Sequence, residues 1–280
     1  MAFGQEEEFR VKTKRTEKAQ LRKRSAENSR RRIEHRLRDI EWDVQSSPML
    51  TARNIHYEIS QRDRGIAYGG IGLIHRMVRS LGLVEAIDQE LKLLKVHLPY
   101  HESDHVLSIA YNSVMDGTCL EDLELRRNDE AFLDALGAQR IPDPTTAGDF
   151  CRRFQEADVE SLMRVFNETR LRVWQKQPEE FFEEALIEGD GSIASTTGEC
   201  KQGMDIAYNG TWGYHPLVIS LANTQEPLFF VNRSGNRPSH EGAAARFDQA
   251  VDLCNRAGFK KIKLRGDTDF SQSAHLDRWD

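Results

Sequence analysis

The chain has 280 residues, a net charge of −6, and 39% hydrophobic and 30% charged residues, which fits a globular protein of one large or two modest domains. No apolar run approaches the roughly 18–20 residues that cross a bilayer, and the N-terminus lacks the apolar core of a secretory signal. The four cysteines (Cys119, Cys151, Cys200, Cys254) are scattered without a Cys-x-x-Cys pair, which argues against a zinc cluster or disulfide framework and for a reducing cytoplasm.

Charge is unevenly placed. Between Arg10 and Arg38 stand 13 Lys and Arg against 3 Asp and Glu, a local balance of +10 that leaves about −16 for the rest. A basic arm on an acidic body points to a polyanionic partner, with a solvated charged segment as the plain alternative. Residues 1–45 read as this arm, turning amphipathic at Ile33, Leu37 and Ile40 and broken by Ser46-Ser47-Pro48.

Residues 46–178 read as mainly helical. Ile55, Tyr57 and Ile59 alternate as on a short half-buried strand, and Gly69-Gly70-Ile71-Gly72 reads as a hinge. Leu73, Ile74, Met77, Val78, Leu81 and Val84 then predict one helix. Val106, Leu107, Ile109, Ala110 and Val114 form a second apolar face, and Phe132, Leu133 and Leu136 a third, closed by Gly137. After the break at Ile141-Pro-Asp-Pro144, Thr146-x-x-Asp149 resembles a capping box opening a short helix. A longer helix spans Val159 to Trp174, and Pro178 follows it.

From residue 179 the pattern turns to strands. Ala185-Leu-Ile187 leads to Asp190. Leu217–Ala222 and Leu228–Val231 form a hairpin around Asn223–Pro227. A helix from about Ser239 to Ala257 carries Phe247, Ala250, Val251 and Cys254 on one face, with Gly258 as its C-cap. Lys261–Arg265 is a strand apolar on one face only, and it leads to Asp267. The whole reads as an α+β or α/β protein, a helical N-terminal region followed by a mixed sheet with helices and a right-handed crossover.

Asp190 and Asp267 thus follow two strands at one end of a sheet, where paired carboxylates suit a hard divalent cation. Asp269 is the alternative second acid. Taken singly, Asp190-Gly191 is also a common turn, and Asp267 or Asp269 a helix N-cap. His101-Glu-Ser-Asp-His105 matches the zinc-protease pattern, but Glu102, Ser103 and Asp104 equally suit the first turn of a helix. Lys201 through Trp212 to Pro216 is dense in glycine and aromatics. It is either a loop over a sheet edge or a nucleic-acid contact with rings to stack on unpaired bases. Arg233 and Arg237 lie in a polar loop suited to phosphate. No nucleotide-binding glycine motif and no Gly-x-Ser-x-Gly elbow is present.

Several short motifs occur in an order that resembles DDE transposases of bacterial insertion sequences, closest to the group numbered thirteen-eighty. They are Asp190-Gly191, Thr197-Gly198-x-x-Lys201-x-Gly203-Met-Asp205, Gly213-Tyr-His-Pro-Leu217, Leu221-Ala-Asn223, Asn232-Arg233-x-Gly235-Asn236, Ser239-x-Glu241-Gly242-Ala243, Arg265-Gly-Asp267-x-x-Phe270 and Leu276-Asp-Arg-Trp279. Ile141-Pro-x-Pro144-Thr-Thr146 with Phe150-x-x-Arg153-Phe154 resembles the same family's helical N-terminal region. The resemblance covers roughly residues 50–280 and leaves the arm outside.

It implies that residues 179–280 begin a ribonuclease-H-like catalytic domain, with Asp190 and Asp267 as catalytic acids holding Mg²⁺ or Mn²⁺. The third acid, a glutamate on a later helix, would fall beyond Asp280. The chain is therefore expected to be the first part of the enzyme, binding DNA without cleaving it, or a non-catalytic DNA-binding remnant. Implied partners are double-stranded DNA and a second copy in a homodimer, with a cytoplasmic, nucleoid-associated location and no membrane. Arg22, Lys23, Arg24, Arg30, Arg31, Arg32, Lys201, Trp212, Arg233 and Arg237 are the expected DNA contacts.

Overall fold

The computed structural model describes residues 23–24, 27–52, 68–198, 201–271 and 273–279. Arg22, Cys200 and the strand expected at Ile55–Ile59 lie outside them. The chain divides into two compact units, Met1–Val165 and Phe166–Asp280. The boundary falls inside one helix rather than after Pro178. Among the described residues no helix is long and apolar enough to cross a membrane.

The first unit is helical. It holds α1 (residues 27–37), α2 (Ile71–Ser80), α3 (Leu83–Glu90), α4 (Glu102–Val114), α5 (Leu123–Arg127), α6 (Glu130–Leu136), α7 (Pro144–Cys151) and the start of α8 (Glu156–Trp174). The one helix expected over residues 73–84 is two, because Gly82 takes a left-handed turn (φ 69°) between α2 and α3. α7 starts earlier than Thr146: the Asp143 carboxylate accepts from Thr146 N–H and Pro144 fills the first turn, where its missing donor is not needed. The last part of the basic arm belongs to this unit. Ile33 is buried in the helical core with Leu37 packed beside it, and Arg36 pairs with Asp134 at 3.2 Å.

Buried acids fasten this unit. Asp104 accepts from the N–H groups of Met49 (2.9 Å), Leu50 (3.1 Å) and His101 (2.9 Å). Glu102 accepts from Leu93 N–H (3.0 Å) and Leu94 N–H (2.9 Å), and pairs with His97 Nε2 at 3.1 Å. These contacts overturn the zinc reading of His101–His105. Glu102, which would have to act as base, is buried and already held, while His105 stacks flat on Phe150 at 4.3 Å.

The second unit is a mixed sheet with helices. Its strands are β1 (Ala185–Gly191), β2 (Ala194–Ser195), β3 (Asp205–Ile206), β4 (Trp212–Tyr214), β5 (Leu217–Leu221), β6 (Glu226–Val231) and β7 (Ile262–Arg265). The main sheet runs β6-β5-β1-β7, with β1 antiparallel to β5 and parallel to β7. A separate small sheet, β2-β4-β3, forms where a glycine-rich loop was expected. Helix α9 (Ala243–Ala257) starts four residues later than expected, since Gly242 just before it is left-handed (φ 74°). Ala243, Phe247, Ala250, Leu253 and Cys254 are its buried residues. Each large apolar side chain there contributes roughly 1.5–3 kcal/mol, against about 0–1 for an exposed ion pair such as Arg256–Glu168, so the apolar face decides where α9 sits. The 3-10 turn Thr268–Phe270 and α10 (Ser273–Trp279) follow β7.

Burial pushes the His105 imidazole down to about 4, while it pushes the Asp104 carboxyl up to about 6. The histidine resists protonation in the fold but not in the unfolded chain. It therefore contributes stability above about pH 6.5 that is lost as pH falls toward 4, and Asp104 works in the opposite sense. Replacing His105 with Phe, which keeps the stack on Phe150, isolates the histidine contribution. His105→Phe should gain stability relative to the parent between pH 6.5 and 4, by up to about 3 kcal/mol in urea titrations. A pH-independent difference would refute this account.

Candidate metal centre and nucleic-acid interface

Alternation along β1 puts Ala185, Ile187 and Gly189 on the buried side toward α9, and leaves Asp190 exposed on the other. Two close approaches require glycine around it. A Cβ on Gly189 would stand 2.5 Å from the Phe247 ring, and one on Gly191 would stand 2.6 Å from His215 Nε2 and 3.0 Å from Ser239 Oγ. The strand is thus pressed onto α9 and onto the base of the small sheet on either side of the aspartate. Among the described residues no hydrogen bond or ion pair engages the Asp190 carboxylate.

The parallel register brings the second acid level with the first. Ile187 pairs with Leu264 and Glu188 with Arg265, so two residues further along each chain come Asp190 and Asp267. On the same face Arg265 grips Glu188 through two contacts of 2.9 Å, and Lys263 reaches Glu184 at 2.9 Å. These pairs tie β7 to β1 and account for its charged alternation. Asp267 is also the cap that the sequence allowed, since it accepts from Asp269 N–H at 2.9 Å and starts the 3-10 turn. Phe270 anchors that turn edge-on against Phe247 at 6.1 Å.

Asp269 is turned to another task. It pairs with His240 Nδ1 at 3.1 Å and accepts from the His240 N–H at 3.3 Å, and the His240 partner holds its carboxyl below the usual range. It locks the turn after β7 to the segment before α9. Among the described residues no group of three or more His, Cys, Asp or Glu could hold a metal ion together.

The basic candidates divide. Lys23, Arg24 and Arg31 are exposed. Arg30 pairs with Glu34 at 2.8 Å and Arg32 with Glu130 at 3.1 Å. Arg237 pairs with Glu241 at 3.2 Å, and the Lys201 ammonium donates to Thr196 Oγ1. Arg233 is folded inward: it donates to the carbonyls of His215 (3.0 Å), Pro238 (3.1 Å), Ser239 (3.0 Å) and Glu241 (2.7 Å). Burial pulls its guanidinium below the usual range, and its Nη2 is buried without a partner. His215 donates through Nδ1 to the Arg237 carbonyl at 2.6 Å. Sequence reasoning passed over His215, Ser239 and His240, although two of them lie in the motifs that carried the resemblance.

The second unit is thus a mixed sheet with Asp190 in β1 and Asp267 just after β7 at one end. A family model described as transposase DDE domain group 1 matches residues 63–279, and the chain belongs to that family. No curated protein and no solved structure matches it. Membership makes it a transposase-type enzyme with DNA as substrate.

Gly189→Ala should lower stability by about 1–3 kcal/mol, because Phe247 cannot give way without leaving its seat. Adding Phe247→Leu should recover part of the loss in denaturant midpoints. No loss in the single variant would show that β1 and α9 are not in such close contact.

Proposed function

We propose that Asp190 and Asp267 are two of the acids with which a ribonuclease-H-like transposase nearest the thirteen-eighty group cuts and joins DNA at insertion-sequence ends. The observation that carries the reading is the parallel register of β1 and β7, which leads to Asp190 at the end of β1 and to Asp267 two residues past β7, in a chain of the transposase DDE family. An exposed carboxylate without a partner among the described residues, and a second that uses a single oxygen as a cap, is a donor set that suits Mg²⁺ or Mn²⁺. A divalent ion held there would neutralise charge on the scissile phosphate and acidify a water or a DNA 3′-hydroxyl. Asp190 and Asp267 would bind it, and Asp269, paired with His240, would orient the turn that carries Asp267.

DNA contacts are assigned to Arg22, Lys23, Arg24, Arg30, Arg31 and Arg32 of the arm, and to Lys201, Trp212 and Arg237. Arg233 is reassigned to holding the 233–241 loop, since its donors point at carbonyls of the chain itself. A homodimer engaging both ends in the cytoplasm completes the reading.

Asp190→Asn and Asp267→Asn should each weaken Mn²⁺ binding by at least about 10-fold, with Asp269→Asn milder, and should lower divalent-dependent cleavage of element-end DNA by about 100-fold or more in any form of the transposase that cleaves. Metal titration and gel assays of cleavage read both. Unchanged metal affinity and unchanged cleavage in Asp190→Asn would sink the assignment. Removing residues 1–22, which spares the docking residues Ile33 and Leu37, should lower non-specific duplex affinity and flatten its salt dependence. An identical salt slope would take DNA away from residues 1–22.

A further inference from the structure

The small sheet walls a cavity that the acidic centre does not use. Its volume is about 530 Å³ and its lining is Thr196, Thr197, Gly198, Met204 and Trp212. That size lies within the roughly 300–1,000 Å³ usual for small-ligand sites. The walls differ in chemistry. Trp212 sits in β4 across from Ile206 of β3, and its side chain is left 53% exposed. An indole that could contribute strongly to a core by burial instead faces open space. Met204 adds a polarisable thioether, which adapts to flat aromatic partners.

Thr196 and Thr197 supply hydroxyls that can both donate and accept. Thr196 is fixed in place, its N–H donating to the Trp212 carbonyl at 3.1 Å. Lys201 stands beside this wall. Its N–H donates to the Gly198 carbonyl at 3.2 Å, and its ammonium reaches Thr196 Oγ1. Among the described residues the lining contains no carboxylate. An aromatic face, a thioether, two hydroxyls and a neighbouring cation match a flat heterocycle with polar edges joined to an anion.

We propose that this cavity takes one unpaired nucleobase of the DNA on which the domain acts. The base stacks on Trp212, its edge meets Thr196 and Thr197, and its phosphate meets Lys201. A fully paired duplex keeps its bases in the stack and offers the cavity nothing to hold, so the site selects a base swung out at a nick, a bulge or an end. The proposal rests on DNA being the substrate, and it is independent of metal binding at Asp190 and Asp267.

The test compares the 280-residue protein on two duplexes of one sequence, one fully paired and one with a single unpaired adenine. Base-on-aromatic stacking predicts a preference of roughly 5- to 100-fold for the bulged duplex. Trp212→Ala should abolish that preference, while Trp212→Phe should retain part of it. Thr196→Val should shrink the preference without changing the thermal midpoint. Paired-duplex binding with no preference overturns the cavity alone, as does a preference that survives in Trp212→Ala. An equal loss on both duplexes in that variant makes Trp212 a backbone contact and also overturns it. Failure to bind either duplex overturns the DNA reading together with the cavity.

Discussion

Pairing of β1 with β7 sets the position of everything at the candidate centre. It joins residues 77 positions apart, as Glu188 and Arg265 show. Parallel neighbours need a long crossover between them, and closing that loop is unfavourable until other contacts form. The chain meets this demand with the β5-β6 hairpin and α9. Phe247 then lies against Gly189 on one side, while its edge contact with Phe270 steadies the turn after β7. One apolar ring therefore supports both strands that carry the aspartates. The exposed Glu188–Arg265 and Glu184–Lys263 pairs add little energy, but they fix register where the apolar pattern of β7 is thin.

The acidic residues fall into two groups with opposite surroundings. Asp104 and Glu102 are buried and receive three and two backbone N–H bonds respectively. Removing such acceptors would strand buried donors, so these carboxylates are structural. Among the described residues Asp190 has no internal donor, and its exposure makes that lack nearly free of energetic cost. Its role must therefore be argued from position rather than from strain or burial. The register that puts it near Asp267, in a chain of the transposase DDE family, is what the proposed metal role rests on.

Much of the second unit was legible in the sequence because its elements are long enough to show a period. The one-faced pattern of Lys261–Arg265 foretold a strand open on one side, and the apolar face of α9 foretold its seat. Two-residue strands such as β2 and β3 show no period, so the small sheet could only be read as a loop. Arg233 read as a phosphate contact because a polar loop does not reveal where its own carbonyls point. The His101–His105 pattern failed for a related reason: the partners of Glu102 and Asp104 come from residues 49–50 and 93–94, which a five-residue motif does not include. Ile33 and Leu37 were seen as amphipathic, yet their docking into the helical core depends on tertiary contacts that charge counting hides.

The inward turn of Arg233 has a mechanical consequence. Its Nε donates to the His215 carbonyl, and the His215 N–H donates back to the Arg233 carbonyl at 2.8 Å. His215 in turn lies against Gly191, the residue after Asp190, and Ser192 N–H donates to the Pro216 carbonyl at 3.0 Å. The base of the small sheet is thus bolted to the end of β1. Tyr214 bridges to Ser234, so both sides of the β4 exit are held. The sheet that walls the cavity is therefore tied to the end of β1 that carries Asp190. A base lodged against Trp212 would therefore fix the register of its strand relative to the aspartates, giving the small sheet a positioning effect on DNA that Asp190 and Asp267 alone could not exert.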